Sequence, residues 1–190
     1  MPDITRNPFS RRHLLTGAGR TLSLAAVSLI VGSKMKTASA ADVSQDVKIL
    51  NAAISLEHEG IAAYQIAATS GLLQPAVVEI GVAFQGHHKG HRDLLVKAVE
   101  TLGGKPSAEK SLDEYAKDLN AASLKNQTDV LRLALGLERG AANAYLGLIP
   151  SLGPDFHQVA AQMAGDEAFH AAILANALGE PIPKDALIFG

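Results

Sequence analysis

The chain contains no cysteine. Disulfides, thiolate zinc sites and cysteine nucleophiles are therefore excluded in any compartment, and a metal could be held only through nitrogen and oxygen. Aromatic residues make up 4% of the 190 residues against 47% hydrophobic, so the core of a single domain has to be built from aliphatic side chains. Neither the P-loop nor the dinucleotide-binding glycine pattern is present, and no serine lies in a nucleophile elbow. Nucleotide-dependent and serine-hydrolase chemistries are left without a motif. Sustained alternation of apolar and polar residues, which a half-buried strand needs, is also missing beyond residue 40.

The N-terminus lacks an apolar run long enough to span a bilayer comfortably: TLSLAAVSLIVG covers only residues 21 to 32. It follows SRRHLL at 10 to 15 and precedes ASA at 38 to 40, an order that reads as an export signal cleaved after Ala40. Arg11 and Arg12 after Ser10, with a weakly apolar stretch behind them, resemble the twin-arginine class of bacterial signals. An uncleaved tether and an ordinary secretory signal are the rival readings. The expected organisation is a removed signal over 1–40 and one domain over 41–190, exported to the periplasm or beyond and free of the membrane. The whole chain has 17 Lys and Arg against 19 Asp and Glu; without residues 1–40 the balance is 11 against 18, a net charge of −7. An acidic domain without a basic patch excludes nucleic acid as the expected partner.

What is present is helical periodicity. Four segments carry apolar residues at spacings of three and four: about Ser44 to Thr69, Pro75 to Leu102, Thr128 to Ile149 and Pro154 to Leu178. Gly71 and Pro75, Gly103 and Gly104, and Pro150 to Pro154 punctuate them. Lys105 to Gln127 separates the second and third helices, while the other connections are short. That long link, with helical character in SAEKSLDEYAKDL, lets helices two and three run parallel. The expected fold is all-α, a four-helix bundle ordered hairpin, crossover, hairpin. LEHEGIAAY (56–64) aligns without a gap on LERGAANAY (137–145), and HKGHRDLL (88–95) on EAFHAAIL (167–174). A duplicated hairpin packing on itself gives a pseudo-twofold bundle.

Each inward stripe is interrupted near its middle by ionisable residues: Glu57; His88 and His91; Glu138; Glu167 and His170. Buried carboxylates persist when paired, hydrogen-bonded or metal-bound. A salt-bridge network fixing the bundle register is one reading; six such residues at repeat-related positions favour a metal. Residues three apart share a helix face, so His88 with His91, and Glu167 with His170, can each grip a cation. Two cations could then be bridged by Glu57 and Glu138. Donors of nitrogen and oxygen suit iron, manganese or zinc. Gln85-x-x-His88 is a second register, ranked lower because position 85 lies beside the stripe.

A single Glu on helices one and three, with Glu-x-x-His on helices two and four around a long crossover, resembles the ferritin-like di-iron and di-manganese carboxylate proteins. The chain is similar to exported ferritin-like domains grouped with desiccation-related proteins, over residues 44–178. Glu57, Glu138, Glu167, His170 and His91 match the family positions; His88 stands where the family has Glu. The resemblance implies one or two iron or manganese ions and oxidase- or peroxide-type redox chemistry. It also implies export of an already folded protein by the twin-arginine machinery. With His88 in place, the expectation divides between one tightly held metal, an asymmetric pair, and loss of metal binding in the family manner.

Tyr64 and Tyr145 lie seven residues beyond Glu57 and Glu138, about 10 Å along the helix. Both are read as amphipathic plugs of the core opposite Gly81 and Ala160, with hydrogen bonding around the site or electron donation as the alternative. Gly86-x-x-x-Gly90 and Gly136-x-x-x-Gly140 point to a close backbone neighbour, either the crossover or a second subunit of a homo-oligomer. His87, His58 and His157 are read as surface residues or as supports around the site, Lys89 and Arg92 as solvated charges. Three functions remain on the sequence alone: a redox metalloprotein, a metal-binding module without turnover, and a metal-free structural stress protein.

Overall fold

The computed structural model describes residues 43–190. The signal expected over 1–40 lies outside the described residues. Five α-helices and no strands are present among the described residues: α1 Val43–Thr69, α2 Pro75–Thr101, α3 Leu112–Asp118, α4 Gln127–Leu148 and α5 His157–Ala177. None is long and apolar enough to cross a membrane.

The boundaries follow local chemistry. Gly71 takes a left-handed φ of 70° after α1; Pro75 opens α2, where its missing N–H costs nothing. Gly103, at φ 74°, turns the chain out of α2. At the next residue, Gly104, a Cβ would come within 2.7 Å of Val47 on α1 and force that side chain to shift. In the crossover, Ser111 and Glu114 form a reciprocal capping box that starts α3. Asn126 caps α4 by accepting from the Asp129 N–H. The fourth long helix starts later than its periodicity suggests: Pro154–Phe156 is a 3-10 turn, and the α-helix begins at His157.

α1 packs on α2 and α4 on α5, as two hairpins. Two apolar layers show their directions. One holds Ile49, Ile54, Leu95, Val99, Leu148 and Met163; the other holds Phe84, Leu131, Leu135, Ala171 and Leu174. α1 and α5 run from the first layer to the second, whereas α2 and α4 both run from the second to the first. The long crossover therefore joins parallel helices, as the duplicated pattern requires. A fully buried leucine or isoleucine in such a layer contributes about 1.5–3 kcal/mol. Between the layers, at one depth, lie the six ionisable residues.

Gly86 and Gly90 face open space rather than the crossover. The crossover covers α1 and instead buries His58, which is 8% exposed. His58 Nε2 lies 3.3 Å from the Ser107 carbonyl, and its Nδ1 has no hydrogen bond. His58 thus lies neither at the surface nor against the cluster, the two places expected for it: Lys105, Ser107 and Glu109 lie over that side of α1. At the far end, Asp46 is buried and accepts from the Gly153 N–H at 2.9 Å, tying the start of α1 to the α4–α5 connection.

Candidate metal centre

Each long helix delivers its ionisable residues inward because they continue its apolar stripe. Glu57, His88, His91, Glu138, Glu167 and His170 are all buried, and Glu167 and His170 have no exposed surface at all. All six candidates meet in one cluster. One donor atom from each of Glu57, His88, His91 and Glu167 lies within 4.8 Å of the others, and the same holds for His88, Glu138, Glu167 and His170. The two groups share His88 and Glu167. This differs from the expected bridging by Glu57 and Glu138, which belong to one group each.

His88 is the centre of the arrangement. Its Nδ1 is 2.8 Å from Glu57 and its Nε2 3.3 Å from Glu138, so the ring links the two hairpins. Room for it comes from Gly60, where a Cβ would sit 3.0 Å from His88 Cε1 and Nδ1. His91 turns Nδ1 toward Glu167 at 3.1 Å. His170 turns Nδ1 toward Glu138 at 3.3 Å and Glu167 at 3.2 Å. Phe84 stacks on the His170 ring, with centroids 4.0 Å apart.

The electrostatics follow from enclosure. Burial disfavours every charge here, and the contacts decide which charges survive. For His88, burial is outweighed by the bonds to Glu138 and Glu57 and by the charge of Glu167, and the pKa rises well above the ordinary range. For His91, burial is outweighed by Glu167 and Glu57, and the pKa rises to about 10. His170 is raised by Glu138 and Glu167 against its burial. Burial would raise Glu57 and Glu138, but histidine bonds reverse this: His88 and His91 for the first, His170 and His88 for the second. Glu167 is raised, because there burial prevails over His170 and His91. Protons thus supply positive charge among the carboxylates, and a divalent cation could replace them, since ligands to a metal must be unprotonated.

The tyrosines correct one reading. Tyr64 donates to Glu138 and Tyr145 donates to Glu57, each reaching the carboxylate of the other hairpin. They are hydrogen-bond donors to the cluster rather than mere core plugs. Gly81 does face Tyr64, with 3.4 Å from a Cβ built there to the ring. Spacing within one helix carried no information about the carboxylate opposite.

Other flanking residues settle as follows. Gln85 is buried, but its amide donates to the Ile61 carbonyl at 3.0 Å and to Gln65, on α1 rather than in the cluster. Lys89 donates to Gln85 and Arg92 pairs with Asp93. His157 Nε2 lies 2.8 Å from the Leu152 carbonyl. His87 is exposed, yet its Nδ1 is 2.9 Å from His170 Nε2. Asp166, which the sequence reading missed, places an oxygen 3.1 Å from His91 Nε2; its position immediately before Glu167 was the available signal. A mostly apolar cavity of about 30 Å³, lined by Gly60, Tyr64, Leu119 and Ala134 among others, reaches His88 and Glu138 under the crossover.

Comparison with known proteins agrees with this architecture. The family model described as a ferritin-like domain matches residues 45–180. Among solved structures, the chain is similar in fold to a conserved hypothetical protein, rv2844, from Mycobacterium tuberculosis. The TM-score is 0.60 at 23% identity, over 75% of this chain and 96% of that one. No curated protein matches the sequence.

Proposed function

Because the chain belongs to the ferritin-like domain family, we propose that it is an exported metalloprotein holding one or two iron or manganese ions at the six-residue cluster. Its activity is of the oxidase or peroxide-consuming type. The observation that carries this reading is the convergence of three carboxylates and three imidazoles into two overlapping groups of metal-binding size. Bound iron or manganese would supply the electron transfer. The chain's own residues do the rest. Glu57 and His91 form one half of the site, Glu138 and His170 the other, and His88 and Glu167 belong to both. Tyr64 and Tyr145 orient Glu138 and Glu57 through their hydroxyls, and the apolar layers keep water away. Export by the twin-arginine route to the periplasm suits a protein that folds and acquires its metal before export.

A second reading has its own observation: His88 links Glu57 and Glu138 directly, so the cluster can balance its charges without a metal, as a structural stress protein would need. Elemental analysis of the purified protein after anaerobic reconstitution separates the two. The metalloprotein reading expects one to two metal ions per chain, falling in both Glu57→Ala and Glu138→Ala; a stoichiometry near zero leaves only the structural reading. If metal binds, oxygen or peroxide consumption no faster than in Glu138→Ala leaves a binding module without turnover.

A further inference from the structure

His91 and His170 occupy equivalent positions in the repeat, and both turn Nδ1 into the cluster and Nε2 away from it. The two outward nitrogens meet different partners. Asp166 on α5 lies 3.1 Å from His91 on α2, and His87 on α2 lies 2.9 Å from His170 on α5. Asp166 and His87 are themselves repeat equivalents, each immediately before the residue shared by both groups, Glu167 or His88. Both are exposed on the seam between α2 and α5, the Asp166 side chain by 59%. Two crossed contacts thus hold two inner histidines, one through a carboxylate and one through an imidazole.

The chemistry of the two contacts differs. An ionised carboxylate only accepts, so it fixes a proton on His91 Nε2, leaves Nδ1 as the nitrogen that a cation can take once its proton is displaced, and adds negative charge behind that ring. An imidazole can accept or donate and carries no negative charge in either protonation state. It therefore adds none behind His170. The His170 ring plane is already held by Phe84, so His87 acts through its nitrogen.

We propose that Asp166 and His87 are positioning residues that make the halves of the centre unequal. The half with Glu57 and His91, backed by Asp166, takes the first divalent cation; the half with Glu138 and His170, backed by His87, takes the second more weakly. This rests on the metal-binding reading above.

Anaerobic titration of the purified protein with Co²⁺, followed by calorimetry and visible absorption, reads the two steps. Paramagnetic shifts of the His91 and His170 imidazole signals assign them. Two unequal steps are expected, with His91 shifted first. Asp166→Ala should weaken the first step about 10–100-fold and His87→Ala the second, the usual effect of removing a partner behind a metal-bound histidine. His87→Asp should bring the second step toward the first. Equal affinities in the unaltered protein, both steps moving together in either alanine variant, or neither moving, would overturn the proposal. A protein that binds no Co²⁺ overturns the metal reading instead. In that event the imidazole ¹⁵N spectra of the metal-free protein still decide the positioning role: His87→Ala must alter the His170 nitrogens and Asp166→Ala those of His91, and unchanged spectra overturn it.

Discussion

The two hairpins are alike in frame and unlike in filling. Glu57 and Glu138 are equivalent, and each accepts from the tyrosine of the other hairpin. His91 and His170 point the same nitrogen inward. Yet His88 stands opposite Glu167 in the repeat, Gly60 opposite Ala141, and His87 opposite Asp166. The first two differences are coupled in space: an imidazole at 88 needs the volume that a methyl group at 60 would take. The duplicated geometry thus holds with a ring in one hairpin and a carboxylate in the other, the smaller residue lying on the helix beside the ring.

The shared frame is tested most severely through the tyrosines. Tyr64→Phe and Tyr145→Phe should each lower the stability of the metal-free protein by about 1.5–3 kcal/mol, the contribution of a hydrogen bond to a charged group. Urea unfolding of both variants checks it, and a loss confined to one would break the equivalence of the hairpins. The difference in filling is tested at Gly60. Gly60→Ala should cost about 1–3 kcal/mol through overpacking against His88. In a His88→Glu background the same change should instead gain up to about 1 kcal/mol from helix propensity. A double-mutant cycle reads the reversal of sign, and a cost unchanged by the residue at 88 would show that the two positions are independent.

The electrostatics of the shared cluster are tested by a pH slope. A histidine whose pKa is raised on folding stabilises fully below its unfolded value, and that contribution is lost as pH climbs through the folded value. For His91 the window runs from 6.5 to about 10, and His88 and His170 act in the same direction. Glu167, raised on folding and so favoured in its protonated form, acts in the same direction above its ordinary 4.5. Glu57 and Glu138, lowered on folding, contribute above their ordinary 4.5 and lose this as pH falls through their folded values. Calorimetric melting of the metal-free protein should therefore show a lower Tm at about pH 9 than at about pH 6. A flat profile would mean that the histidines are not held protonated by the cluster.

Much of this molecule was legible in advance. Val47, Leu50, Ile54 and their counterparts recur with helical spacing, and Gly71, Pro75 and Gly103 break the pattern where the helices end. An ionisable residue inside an apolar stripe is conspicuous, which is why Glu57 and Glu138 could be picked out. Tyr64 was misjudged because its partner lies on α4, 74 residues away. His58 was misplaced because the crossover, not its own helix, buries it.

Sequence alone determined the four long helices, the duplication, and the six ionisable residues that interrupt their inward stripes, because helical periodicity and the cost of burying charge act within each segment. Tertiary structure alone decided the pairings: His88 across both hairpins, each tyrosine on the opposite carboxylate, Asp166 and His87 behind different histidines. Those contacts depend on which atoms of separate helices reach the same depth, and no spacing along one chain segment encodes that.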